Sequence, residues 1–238
     1  MSGAIRLGGI LAAGEGSRLR RDGFGPKPLV AVAGVPLVAH AIENLFAAGV
    51  ERLVVVFNES EEDCARYVRT RFPGRPIDVV LRDTASSLET FRAVSEGLPP
   101  GRALVTTVDA WCPREDFVRF SAEAAAAGDD ETVLAVTPFV DDERPLWVEA
   151  DASGRVQKIG GATGTSVTAG AYLFSDTARR RPAPAGLERL RAYLAWLVAE
   201  GEPVRAVSIE KVIDVDRGRD VAAAERMSGR LAPPGGRP

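Results

Sequence analysis

Apolar positions along this chain alternate between two rhythms. The run "IRLGGILAA" (5–13) is almost unbroken apolar, as expected of a central parallel strand buried on both faces. "PLVAHAIENLFAAG" (36–49) places Leu37, Val38, Ala41, Ile42, Leu45 and Phe46 at helical spacing, with Pro36 at the first turn and Gly49 at the end. "RLVVVF" (52–57) predicts a second strand. "SEEDCARYVRTRF" (60–72) predicts a helix, with Ser60 as N-cap and acids in its first turn. "IDVVL" (77–81) is a third strand, and "SSLETFRAVSEGL" (86–98) a helix with a capping box of Ser86 and Glu89. "ALVTTVD" (103–109) is a fourth strand ending in an acid, and "REDFVRFSAEAAAAG" (114–128) another helix. Strand and helix taken in turn four times predict a parallel sheet covered by helices on both faces, a Rossmann-like three-layer α/β sandwich.

After residue 131 the rhythm changes. "TVLAVTPF" (132–139), "LWVEAD" (146–151), "RVQKIG" (155–160) and "VTAGAYLF" (167–174) follow one another with few helices between them, and "DASG" (151–154) marks a turn. They predict a mixed or antiparallel extension of the same sheet. A helix over 187–201, a strand over 204–209, and a short strand, turn and helix over 210–227 complete the pattern. The expectation is one domain over 1–228, with a parallel half (1–130) and a mixed half (131–228). The Pro- and Gly-rich end, 229–238, reads as a disordered tail.

Composition narrows the partners. The 238 residues are 45% hydrophobic, enough for a substantial core, and carry a formal net charge of −3. A nucleic-acid binder shows a basic excess, which is missing, so any anion site is local. Cys64 and Cys112 have no metal-ligand spacing and do not make a disulfide framework, which suits a reducing cytoplasm. The apolar start is short and broken by glycine, so neither a signal peptide nor a membrane span is expected. A homo-oligomer stays open.

One stretch breaks the apolar rhythm: "LAAGEGSRLRRDGFGPKPL" (11–29). It leaves the carboxyl end of the first strand, where open α/β sheets bind ligands. Gly14 and Gly16 let backbone amides approach an anion, while Arg18, Arg20, Arg21 and Lys27 outnumber Glu15 and Asp22. A phosphate-binding loop is the physical expectation. The chain has no GxxxxGK[ST] string, and Leu19 occupies the third glycine position of a dinucleotide fingerprint, so neither of those phosphate loops is present.

The same stretch resembles the N-terminal signature of nucleotidyltransferases of the sugar-phosphate and molybdopterin guanylyltransferase type. Leu11, Ala12, Ala13, Gly14, Glu15, Gly16, Ser17 and Arg18 match LAAGxG[ST]R. Pro26-Lys27-Pro28 matches the later PK[PQ], and Gly34-Val35-Pro36 the GxP that enters a helix. The resemblance is close over about 55 residues and thin over most of the rest. It implies the nucleotide-diphospho-sugar transferase fold and transfer of a nucleoside monophosphate from a nucleoside triphosphate to a phosphorylated small-molecule acceptor. It also implies Mg²⁺ as cofactor, with no nucleic-acid or membrane partner. The half 1–130 would then bind nucleotide, through residues 11–17, and the half 131–228 the acceptor, and Arg18 and Lys27 would be catalytic. Asp109 and Asp214 would hold the metal, with Asp216 the lesser candidate because the family string has glycine there. Ser86 and Ser87 would contact the base, and Gly170, in "TAGAYLF", would let the acceptor lie close.

Two departures stand out. "RRDGFG" makes the loop more basic than the family pattern, and "GRVQKIGG" replaces a string whose lysine holds a hexose phosphate, leaving Lys158 out of frame. The lone His40 and Trp111 read as packing residues. Related alternatives are a molybdopterin guanylyltransferase-like or phosphocholine cytidylyltransferase-like enzyme, a GT-A glycosyltransferase, and a non-catalytic nucleotide-binding protein.

Overall fold

In the computed structural model, residues 4–139 and 145–229 are described. The predicted tail beyond Gly229 lies outside them. Along the chain come β1 (Leu7–Leu11), α1 (Ser17–Arg21), β2 (Ala31–Val32), β3 (Val35–Pro36), α2 (Leu37–Ala47), β4 (Arg52–Phe57) and α3 (Glu62–Arg71). Next are β5 (Ile77–Leu81), α4 (Ser87–Glu96), β6 (Ala103–Thr107), β7 (Ala110–Trp111), α5 (Arg114–Ala125) and β8 (Thr132–Thr137). The rest are β9 (Trp147–Ala150), β10 (Val156–Ile159), β11 (Ser166–Phe174), α6 (Asp176–Arg180), α7 (Leu190–Ala199), β12 (Val204–Ser208), β13 (Ile213–Asp214) and α8 (Gly218–Met227).

Nine of these strands form one sheet, in the order β10-β9-β11-β6-β1-β4-β5, with β8 on β11 and β12 on β8. The pairs β1–β4, β1–β6 and β4–β5 are parallel, so their carboxyl ends share one edge. β11 runs antiparallel to β6 and β8, and joins the later strands to the parallel half. The α/β Rossmann-like sandwich with a mixed extension is therefore the architecture observed.

The uninterrupted apolar strands are explained by two cores, one on each face. In β4, Leu53, Val55 and Phe57 enter the core shared with α2, α3, α5 and α8, while Val54 and Val56 enter the one shared with α4 and α7. Each such buried side chain stabilises the fold by about 1.5–3 kcal/mol, against ~1 kcal/mol or less for an exposed pair such as Arg6–Glu51. The two glycines of β1 allow close helix packing: a Cβ on Gly9 would lie 2.3 Å from Val94 of α4.

Local signals hold unevenly. Ser86 caps α4, its Oγ accepting from the Glu89 N–H at 3.2 Å, while the Glu89 carboxylate accepts from the Ala85 N–H at 2.7 Å. Ser60 does not cap α3; that helix starts after Glu61 and has no side-chain cap. The fourth strand stops at Thr107, so Asp109 stands in the turn that follows it. No helix among the described residues is long and apolar enough to cross a membrane.

Candidate active site

A cleft of about 600 Å³ opens at the carboxyl ends of β1 and β6. Its first acid stands in the turn just after β6. The Val108 N–H donates to Leu11 O at 3.1 Å, carrying the β1 pairing past the strand end, and Asp109 follows. The chain then enters β7, which pairs antiparallel with β13 so that Ala110 opposes Asp214. The Val215 N–H donates to Asp109 O at 3.0 Å and locks the arrangement. The Asp216 N–H donates to Asp214 O at 3.0 Å, a tight turn about Val215 just past β13 that brings Asp214 and Asp216 together. One oxygen from each of Asp109, Asp214 and Asp216 lies within 4.8 Å of the others.

Cations from the basic stretch meet these acids. This stretch is not a plain loop: α1 occupies Ser17–Arg21, and a 3₁₀ turn Lys27–Leu29. Gly16, at φ 59°, turns the chain over Lys27, where a Cβ would stand 2.8 Å from the Lys27 Cβ. Lys27 Nζ donates to both Asp109 and Asp216 and is only 7% exposed. Arg18 Nη1 donates to Asp216 Oδ2 at 3.0 Å. Asp22 Oδ2 accepts from the Gly218 N–H at 2.9 Å, fastening the basic stretch to the start of α8.

Burial acts against both members of the central pair, and the pairing outweighs it. Desolvation would lower the Lys27 pKa, yet Asp109, Asp216 and Asp214 raise it above its usual value. Desolvation would raise that of Asp109, yet the Lys27 charge, hydrogen bonds from Lys27 and Thr107, and its own backbone hold it low. Both groups stay charged at neutral pH. Tyr172, on the cleft wall, is pushed up to about 12, chiefly by burial, and stays a neutral phenol.

The residues singled out in the sequence separate. Leu11, Ala13, Gly14, Glu15, Arg18, Lys27, Ser86, Ser87, Asp109, Gly170 and Asp214 line the cleft. Ala12, Gly16 and Ser17 do not. Ala12 is buried and its N–H donates to Val56 O, Gly16 packs on Lys27, and Ser17 opens α1 on the outside. Asp216, ranked below Asp214, touches both Lys27 and Arg18. Gly170 sits at φ 69° where a bulge interrupts the β11–β8 pairing, and a Cβ there would come within 2.5 Å of the Ala110 Cβ and 2.8 Å of Thr107 Oγ1. Close approach of β7 requires glycine there, before any ligand is considered.

Ser86 Oγ caps α4 and Ser87 Oγ accepts from the Leu190 N–H at 3.0 Å, leaving each O–H able to donate into the cleft. Trp111 is 5% exposed and packs edge-on against His40, whose Nε2 meets Val32 O at 2.9 Å, so neither faces the cleft. Lys158 lies on β10, 3.8 Å from Glu149, away from the cleft.

Sequence reasoning missed Thr168, Arg191, Arg217 and Arg219, which also line the cleft. Arg191 stands on α7, where the pattern signalled only a helix. Arg217 follows Asp216 directly and Arg219 comes two residues later, and that mixture of acid and base was the available signal.

A Rossmann-like sheet that gathers carboxylates and phosphate-seeking cations at its strand ends is a nucleotidyltransferase frame. The chain belongs to the MobA-like NTP transferase domain family, which it matches over residues 8–181. It is 32% identical over 234 residues to the "Bifunctional IPC transferase and DIPP synthase" of Rubrobacter xylanophilus, covering 92% of this chain and 51% of that protein. It is 30% identical over 183 residues to the "2-aminoethylphosphonate cytidylyltransferase" of Lancefieldella rimae, covering 72% of this chain and 68% of that one. The chain thus spans about half the length of the bifunctional relative. The solved inositol-1-phosphate CTP transferase from T. maritima superposes with a TM-score of 0.82 at 23% identity, covering 96% of this chain and 97% of that one. At that identity the likeness shows the shared fold.

Proposed function

We propose that this chain transfers a nucleoside monophosphate from a nucleoside triphosphate to a phosphate or phosphonate oxygen of a small-molecule acceptor, releasing pyrophosphate. The observation that carries this is the meeting of Asp109, Asp214 and Asp216 with Lys27 and Arg18 at one cleft mouth. CTP is the first donor to test, since the similar proteins include a cytidylyltransferase and a CTP transferase. The acceptor would be a phosphorylated polyol or a sugar 1-phosphate, or a phosphonate.

The first half of the chain would hold the triphosphate. Gly14 offers backbone without a side chain, in open space on the cleft wall. Arg18 and Lys27 would neutralise the triphosphate, and Ser86 and Ser87 would contact the base. The second half would hold the acceptor, with Arg191 and Thr168 near its phosphate. An acceptor oxygen attacks the α-phosphorus, a new P–O bond forms, and the bond to the β-phosphate bridging oxygen breaks. That nucleophile is already ionised, so no side chain must remove a proton. Positioning and charge neutralisation are the work of the protein.

The three carboxylates are hard oxygen donors of the kind that Mg²⁺ takes one or two at a time. Asp109, with Asp214 and Asp216, would hold it, and it would supply charge neutralisation at the α-phosphate. The two unpaired cysteines, Cys64 and Cys112, support a reducing, cytoplasmic setting. The test is pyrophosphate release from each common triphosphate, with phosphorylated polyols, sugar 1-phosphates and phosphonates as acceptors. Metal-dependent release with one pairing is expected. A UDP-sugar used as donor without pyrophosphate release would instead mark a glycosyltransferase.

A further inference from the structure

Lys27 is an unusual neighbour for a metal site. It is not beside the carboxylates but between two of them, bonded at once to Asp109 and Asp216 and sealed from water. Its ammonium fills the place where a cation would meet those same oxygens. Arg18 takes the other oxygen of Asp216. Two of the three clustered carboxylates, Asp109 and Asp216, are thus already neutralised in part by bound cations, which weakens their attraction for a divalent ion. The pairing is also held sterically: Gly16 packs against the Lys27 stem, and Pro26 and the 3₁₀ turn fix its backbone.

We propose that Lys27 is a built-in competitor for the divalent cation, occupying the Asp109–Asp216 position in the nucleotide-free protein and leaving it when the ion enters. An ion that takes those same two oxygens repels the ammonium at contact distance, and the ammonium moves out into the cleft. The cleft there is lined by Gly14 and Arg18, where the triphosphate would lie. The anionic ligand rewards the displaced lysine and the ion together, which couples their binding. That last step rests on the nucleotidyl-transfer reading. The competition itself does not.

Its test therefore uses no nucleotide and no acceptor. Mn²⁺ binding to the full chain is measured by electron paramagnetic resonance for the natural protein, Lys27→Gln and Lys27→Arg. Lys27→Gln removes the competing charge at similar length and is expected to bind Mn²⁺ roughly tenfold or more tightly than the natural protein. Lys27→Arg keeps the charge and is expected to stay weak. Equal or weaker binding by Lys27→Gln overturns the proposal.

A second measurement covers failure of that variant to fold. The chain has three lysines, Lys27, Lys158 and Lys211, so ¹³C-lysine labelling gives three resolvable Cε signals in the natural protein. At saturating Mg²⁺ the Lys27 signal is expected to move while those of Lys158 and Lys211 hold still. A Lys27 signal unmoved at saturation overturns the proposal as surely. Either result leaves the transfer reaction to be judged by its own assay.

Discussion

Arg18 and Asp216 are 198 positions apart in the chain, and their side chains meet at 3.0 Å. The contact joins the basic stretch after the first strand to the segment before the last helix. Lys27 with Asp216 and Asp22 with the Gly218 amide repeat the connection. The site exists only once both ends of the domain are folded together.

Arg18 separates activity from stability. Its side chain is 44% exposed, so loss of the Asp216 pair costs folding less than about 1 kcal/mol. Arg18→Ala is expected to leave the melting temperature nearly unchanged and to lower kcat/KM for pyrophosphate release by roughly 10²-fold. A variant with full turnover would remove Arg18 from the triphosphate.

Lys27 behaves differently, because it is buried. Lys27→Ala leaves Asp109 and Asp216 without their counter-charge and is expected to lower both turnover and stability. The stability loss is on the order of 2 kcal/mol, below the figure for a fully buried pair because Asp216 is 33% exposed. Chemical denaturation without metal reads that loss.

Two glycines make opposite predictions. Gly170→Ala forces a Cβ into Ala110 and Thr107 at a left-handed backbone position, with an expected cost of about 2–3 kcal/mol and a melting temperature lower by several degrees. Gly14→Ala meets nothing within 4 Å. It is expected to fold normally and to raise KM for the triphosphate roughly tenfold, because the new methyl group stands where the nucleotide would approach.

The cysteines set an alkaline limit. Burial first, then the charge of Glu61 for Cys64 and of Asp116 for Cys112, pushes both thiols up to about 12. A thiol whose pKa is higher folded than unfolded favours the native state below the unfolded value of about 8.5, and that contribution is lost as pH rises towards 12. Stability is expected to fall through this window, less steeply in Cys112→Ala. Neither thiol should react quickly with a disulfide reagent at about pH 8 until the protein unfolds.

Local signals carried the sheet and the loop. "RLVVVF" and "IDVVL" coincide with β4 and β5 because short runs rich in β-branched residues carry no competing helical pattern, whether buried on both faces as in β4 or half-covered at the sheet edge as in β5. Asp109 was legible because an acid after an apolar strand is a local feature. The contact of Asp216 with Lys27 was not, since it depends on β13 pairing with β7, a relation across a hundred residues. Lys27 belongs to a stretch that reads as a phosphate-binding loop, yet it is buried, because Gly16 and the acids close over it. Arg191 was invisible for the same reason: helical spacing says which face of α7 is apolar, not which cleft its polar face meets.

The central claim is transfer of the α-phosphorus, and label placed there follows it. CTP carrying ³²P at the α-position, a divalent cation and a phosphorylated acceptor are incubated with the natural chain and with Asp109→Asn. The expected result is label joined to the acceptor with an equal amount of unlabelled pyrophosphate, at a rate lower by roughly 10²-fold or more in the variant. Label recovered only as free nucleotide, or equal rates in the two proteins, would contradict the account.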